Sequence, residues 1–403
     1  MKEFKLLSAE SVSVGHPDKL TDYIVDSILD EILKEDPNAR VAIDGVFKDK
    51  YLTLGGEITT TAKPNYEEII RRSIKEVGYE KLSEEVEITL HIFEQSPDIA
   101  LGTNDDVGGA GDQGTITGFA CDDCEALIPL EKYMADEILR HIYFILRNKV
   151  DFIEPDMKSQ VTLLTNGVDD TKIKTVVLAI MHKQGVEKQK LIDIAQEAVT
   201  RVSQDLNIPF CDDYNLIVNG TGEFVMGGPE ADSGEVGRKI VVDAYGVRVP
   251  VGGGTFNGKD PSKVDRSAAY MARYVAKNIV ASGIAGVCEI TVSYCIGLAD
   301  PISIDYNFYG STTVDPDIII EEVNKLVSFR PKDIIEKLDL RKPVYSTSGL
   351  FGHFGLSGKL GLDGSYTPVP WEQLTLKDEL FKNVMARISQ GDATLSDLTV
   401  EDA

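Results

Sequence analysis

Helix-period and strand-period patterns follow one another along this chain in unequal groups, and that irregular grouping constrains the fold more than any other feature of the sequence. Leu20, Ile24, Ile28 and Ile32 recur every four residues after HPDK, which predicts an amphipathic helix whose interleaved Asp22, Asp26 and Asp30 form a solvated, solubilising face. Further helix patterns cover 66–77, 130–148, 187–206, 267–282 and 316–328, with Gly78 and Gly283 as stop signals and Asp315 before Pro316 as a start. Period-two runs lie at 86–92, 161–163, 176–180, 216–218, 240–242 and 290–296. Strict alternation of the two patterns would indicate a doubly wound parallel sheet; clusters of this kind indicate an α+β fold instead.

Charge narrows the partners. Across 403 residues the formal charge is −25, which argues against nucleic acid or an anionic membrane, since both need a dominant basic surface. A polyphosphate ligand stays compatible, provided that a local basic cluster, metal ions or both receive it. No apolar run approaches the roughly 18–20 residues that cross a bilayer, and 175–181 (TVVLAIM) has the length of a buried strand. The amino terminus lacks a long apolar core followed by small residues, so the expected location is the cytoplasm. Five cysteines, an odd number, fit reduced thiols. The lone C-x-x-C of Cys121 and Cys124 has no second pair or histidine at zinc spacing and reads as ordinary packing.

Several short stretches carry candidate chemistry. Residues 253–260 (GGTFNGKD) nearly spell the phosphate loop G-x-x-x-x-G-K-[ST], but Asp260 and Pro261 stand where a metal-binding hydroxyl and a helix-starting N–H are needed. Lys259, Lys263, Asp265 and Arg266 recur every three or four residues into a helix pattern, so several share a face; a solvated, charged helix start explains the same spacing. GAGDQG at 109–114 satisfies G-x-G-x-x-G, yet it follows loop residues and precedes a strand pattern, so a dinucleotide fold is not indicated. Asp112 among those glycines is a candidate positioned carboxylate, and the glycine-rich stretch 98–112 reads as a mobile, functional loop. Arg238 and Lys239 precede an apolar run read as a strand, and either sit at a sheet end or clasp a phosphate. His16 and Asp18, just ahead of the first helix, resemble an anion and metal site.

In order and spacing these segments resemble the S-adenosylmethionine synthetase family over nearly the whole chain. AESVSVGHPDK, GGEITT, QSPDI, GAGDQG, DMKSQVT, GRKIVVDAYG, GGGTFNGKDPSKVDRSAAYMARYVAKNIV and GHFG carry the resemblance, and GAGDQG and GKDPSKVDRSAAY are highly specific. It implies synthesis of S-adenosylmethionine from ATP and L-methionine, with tripolyphosphate displaced whole and then hydrolysed. His16, Lys158, Arg238 and Lys259 are the implied catalytic residues, and Asp156, Phe224, Asp232, Lys239 and Thr255 join them in binding ATP. Glu57, Gln95, Asp112, Asp232 and Lys263 match methionine-pocket positions. Glu10, Asp18 and Asp265 match magnesium positions, about two ions per site, and Asp44 stands where a potassium-binding glutamate is usual.

The resemblance also implies three similar α+β subdomains in one intertwined chain, divided here at 1–100, 101–226 and 227–403, with a gating loop near 98–112. It implies a homodimer with shared active sites, and dimers that often pair into tetramers. Val14, Asp44, Glu223 and Val251 depart from the family pattern, as does an insertion at 357–370. Those departures keep open a divergent homologue that binds ATP without turnover, beside a nucleotide hydrolase using the near-Walker loop.

Overall fold

The computed structural model describes residues 4–95, 109–167 and 170–390. Its strands, in chain order, are β1 (Lys5–Val12), β2 (Arg40–Lys48), β3 (Tyr51–Thr59), β4 (Glu87–Phe93), β5 (Gly114–Cys121) and β6 (Ile153–Thr165). There follow β7 (Thr171–His182), β8 (Phe210–Val218), β9 (Gly234–Glu235), β10 (Val287–Tyr294), β11 (Ser303–Asn307) and a late hairpin of β12 (Gly358–Leu360) and β13 (Tyr366–Pro368). Apart from that hairpin they form three sheets, ordered β1-β6-β7-β8, β11-β10-β5 and β4-β3-β2-β9. The fold is α+β, as the clustered patterns predict, and each sheet takes a strand from a distant stretch of chain: β1 pairs with β6, β5 with β10, and β9 with β2.

Each sheet lays one face on an inner helix: Pro17–Glu35 against β2 and β9, Leu130–Arg140 against β1 and β6, Val264–Ala281 against β5 and β10. The other face of β2 is open, with Asp44, Val46 and Lys48 exposed between buried Val41, Ile43 and Phe47, the alternation a one-sided sheet imposes. Helix ends follow their local chemistry. Tyr66–Val77 stops at Gly78, whose φ of 112° lets its N–H reach back to the Ile74 and Lys75 carbonyls. Asp315 caps Pro316–Leu326 by accepting the Asp317 N–H.

Four expectations are corrected by tertiary context. Asp22 and Asp26 are 1% exposed and Asp30 7%, so the first helix has no solvated acidic face. Its second side is covered by Asn257, Arg266 and the 345–346 turn, which come from the far end of the chain. Residues 240–242 form a one-turn helix, Ile240–Asp243, closed by the Asp243 N–H on the Lys239 carbonyl, because three alternating residues do not distinguish strand from helix. The 130–148 pattern stays α-helical only to Arg140 and then passes through a π turn (His141–Leu146) and a 3₁₀ turn (Arg147–Lys149). The charged start of Val264–Ala281 is not solvated: Asp260, Lys263 and Arg266 are buried, and Lys263 and Arg266 are paired with Asp260 and Asp26 at 2.5 and 2.6 Å.

The insertion at 357–370 builds the β12–β13 hairpin, which carries Lys359 into the interior. Its ammonium donates to the carbonyls of Ser348, Leu350 and Gly352, and burial lowers its pKa well below the usual lysine range. Next to it, Trp371 stacks on Tyr270 at 3.6 Å between ring centroids, and Glu372 receives Arg273 at 2.8 Å and Lys277 at 2.6 Å. Cys121 and Cys124 are free thiols, and Cys124 donates to the Ile128 carbonyl. No helix among the described residues is long and apolar enough to cross a membrane. Of the stretch 98–112 only 109–112 lies within the described residues, and the tail 391–403 lies outside them.

Candidate active site

The edge of β2 away from β3 positions the site, because beyond the short pairing with β9 two loops dock on it side by side. The Val236 N–H donates to the Gly45 carbonyl at 3.1 Å, and two residues along the strand the Ile43 N–H donates to the Gly258 carbonyl at 2.9 Å. Asp260 N–H then reaches the Val41 carbonyl at 3.0 Å. Two glycines make this approach feasible. Gly237 (φ 76°) has room for no side chain, since a Cβ there would lie 2.6 Å from Thr255 Cβ, and at Gly258 (φ 73°) a Cβ would overlap the Ile43 carbonyl. Arg238 and Lys239 follow the first glycine, and Lys259 follows the second.

On and beside these loops, three lysines meet three carboxylates. Lys239 pairs with Asp18 at 2.5 Å, Lys259 with Asp265 at 2.5 Å, and Lys158 on β6 with Glu10 on β1 at 2.6 Å. Arg238 stands 3.8 Å from Asp18 and donates to the Ser233 carbonyl at 3.3 Å. Asp18 also accepts the Glu235 N–H at 2.9 Å. Every candidate magnesium carboxylate is thus held by one of the candidate phosphate cations.

His16 caps the helix that carries Asp18. Its Nδ1 accepts the Asp18 N–H at 3.2 Å, so the proton of the neutral ring resides on Nε2. Burial lowers the ring's pKa to about 4, with Lys239 and Lys158 acting in the same direction and Asp18 and Asp232 opposing. Asp156 takes the Gly228 N–H at 2.8 Å, and burial pushes its pKa up to about 6. Asp232 is exposed and accepts its neighbour Ser233's N–H at 2.8 Å.

Two supporting residues escape the sequence reading. His182, buried at the end of β7, accepts the Phe224 N–H on Nε2 at 3.1 Å, while its backbone N–H donates to the Phe224 carbonyl at 2.9 Å. Phe224 is therefore fixed at both backbone groups. Tyr79 donates to the Gly15 carbonyl at 2.7 Å, just before His16. A single histidine or tyrosine carries no local signal of such a partner; only a search for polar residues at strand and helix ends would raise His182.

The remaining candidates sit around the second loop. Glu57, Ala42 and Lys259 form one cross-strand row, so their side chains share a sheet face. Gln95 N–H reaches Thr59 at 3.2 Å, two residues from Glu57. Asp112 follows Gly111, whose N–H donates to the Ser262 carbonyl at 3.2 Å, which places GAGDQG against the lysine loop. Lys263 lies beneath, paired with Asp260. Asp44 stands opposite Gly55 on the open face of β2.

A neutral histidine at a helix start, with Lys239, Asp18 and Lys158 as charged neighbours, and lysine–carboxylate pairs on the loops that dock on β2 have the chemistry that suits a polyanion. Models of the S-adenosylmethionine synthetase N-terminal, central and C-terminal domains match residues 4–97, 107–224 and 226–373 in turn. Among similar proteins, an S-adenosylmethionine synthase of Mesoplasma florum is 44% identical over 87% of this chain and 95% of its own length. Those of a Mycobacterium species and of Staphylococcus epidermidis are each 40% identical, over 94% and 92% of this chain and 99% and 96% of their own lengths. The chain belongs to the S-adenosylmethionine synthetase family and is an enzyme of that class.

Proposed function

We propose that the protein is a methionine adenosyltransferase. The sulfur of L-methionine forms a bond to the ribose 5′ carbon of ATP as the bond from that carbon to the phosphate oxygen breaks, giving S-adenosylmethionine and tripolyphosphate. Water then cleaves tripolyphosphate to pyrophosphate and phosphate. The observation that carries this reading is a neutral His16 whose Nε2–H is available as a donor, with Lys239 and Lys158 as its cationic neighbours and Arg238 and Lys259 on the loops that dock on β2. A thioether needs no deprotonation, so the work of the site is to align sulfur and carbon and to stabilise the departing polyanion. His16 donates to the leaving oxygen; the cations take the phosphate oxygens, and Phe224, Asp156 and Thr255 line the nucleoside side. Glu57, Gln95, Asp112, Asp232 and Lys263 receive methionine.

Magnesium fits the donor set. The described residues hold no cluster of three acidic, His or Cys side chains that would cage a metal. Magnesium is characteristically held by one or two carboxylates plus substrate phosphates, which is what Glu10, Asp18 and Asp265 beside phosphate cations offer. Bound there, it would neutralise phosphate charge as each lysine exchanges its carboxylate for a phosphate oxygen. Potassium would rest on a single exposed carboxylate, Asp44.

A homodimer with shared sites is supported by the open sheet face that carries Glu57 and Asp44, which also exposes Val46, Tyr51 and Phe93 at 48%, 53% and 67%. Pairing of dimers into a tetramer is part of the same proposal. The five free cysteines are in keeping with a cytoplasmic location. Purified protein given ATP, methionine, Mg²⁺ and K⁺ is expected to yield S-adenosylmethionine, phosphate and pyrophosphate. ATP consumption without a sulfonium product would overturn the assignment.

A further inference from the structure

The Pro17–Glu35 helix carries Asp18, Asp22, Asp26 and Asp30 at four-residue intervals, and together they accept backbone N–H groups from three remote segments. Asp18 takes Glu235 at 2.9 Å, Asp22 takes Gly237 at 3.0 Å, and Asp26 takes Gly258 at 2.9 Å. Asp30 takes Tyr345 and Ser346 at 2.9 and 2.8 Å. A helix rises about 1.5 Å per residue, so successive carboxylates stand about 6 Å apart in one row.

All four carboxylates are buried, at 7% exposure or less, and the middle two, Asp22 and Asp26, are set apart by where they bond. Their bonds land on the two glycines whose left-handed backbone introduces the lysine loops, the points where the chain is otherwise least restrained. Asp26 also receives the Asn257 amide at 2.8 Å and Arg266 at 2.6 Å, and Asp22 lies 3.1 Å from Lys19, which pairs with Asp243 at 2.6 Å. Each clamp is therefore itself braced by a buried cation.

We propose that Asp22 and Asp26 are positioning residues for polyphosphate binding: they tie the loops at Gly237 and Gly258 to one rigid helix and so fix the backbone from which Arg238 and Lys239, and separately Lys259, extend. This rests on the reading of those cations as tripolyphosphate ligands. The test is calorimetric titration of the full-length protein with inorganic tripolyphosphate and Mg²⁺, alongside steady-state kinetics. Asp22→Ala is expected to raise the tripolyphosphate Kd about tenfold, the loss of one charge-assisted hydrogen bond, while the KM for methionine changes less than about twofold. Asp22→Asn, whose amide oxygen still accepts from Gly237, should recover most of the affinity, which a merely structural role for the charge would not allow. In a Lys239→Ala background Asp22→Ala should add little, because it acts through that loop. Should Asp22→Ala fail to fold, Asp22→Glu serves: one methylene longer, it is expected to weaken tripolyphosphate binding. Wild-type affinity in both Asp22→Ala and Asp22→Glu, or full additivity with Lys239→Ala, would overturn the positioning role while leaving the enzymatic reading intact. Failure of the wild-type protein to bind tripolyphosphate would overturn both.

Discussion

His16 illustrates how a single backbone contact sets chemistry. Because Asp18 N–H occupies Nδ1, the ring presents Nε2–H to the cleft, and burial keeps it neutral down to about pH 4. Between pH 4 and 6.5 the unfolded chain then binds a proton at this position that the folded chain does not, so stability rises with pH across that window and falls on acidification. His16→Gln should therefore gain on wild type by roughly 1–2 kcal/mol between pH 7 and pH 5 in urea unfolding, whatever it costs in turnover. Lys259→Ala and Asp265→Asn are each expected to lower kcat by about 10²–10³-fold with unfolding midpoints little changed, since both sit at the leaving group in the proposed reaction. Glu223 is exposed next to Phe224, and Glu223→Arg should lower the KM for ATP if the acidic residue repels the nucleotide; a raised KM would show that this chain uses the glutamate in its own way. At this scale strings rich in glycine, lysine and aspartate single out residues that the structure pairs, Lys239 with Asp18, Lys259 with Asp265 and Lys158 with Glu10. His182 and Tyr79 were not legible, because what makes them useful is a backbone group far away in sequence.

Elements were legible where local chemistry decides. The helix over 66–77 matches its pattern end to end, an asparagine cap and a glycine stop marking both limits. Where packing decides, the pattern misleads: Asp22, Asp26 and Asp30 look like the wet side of a helix until segments more than 200 residues away close over them. The loop before that helix is equally constrained, since a Cβ at Gly15 would run into the Pro155 backbone. Gly15→Ala is expected to cost about 1–3 kcal/mol in chemical denaturation, as overpacking does. The β12–β13 hairpin acts as a buttress through Lys359. Lys359→Met strands three buried carbonyls and should lower Tm by several degrees while leaving the KM values for ATP and methionine near wild type.

At the scale of the molecule, the α+β class follows from the clustered patterns, but the pairing of strands does not, because hydrophobic period says which face is buried and nothing about which strand lies alongside. The intertwined arrangement came from family resemblance, and the sheets display it: β1 with β6, β5 with β10, β9 with β2. That interleaving has a consequence for how the chain is made. When β2 leaves the ribosome at residue 48, the partner that closes its outer edge, β9, begins only at 234, roughly 10 to 40 s later at about 5–20 residues per second. Until then the nascent chain holds an unsatisfied strand edge and a helix studded with unpaired acids. Synthesis of this protein thus calls for a holding partner or for late, concerted folding, and no third of the chain is expected to mature alone.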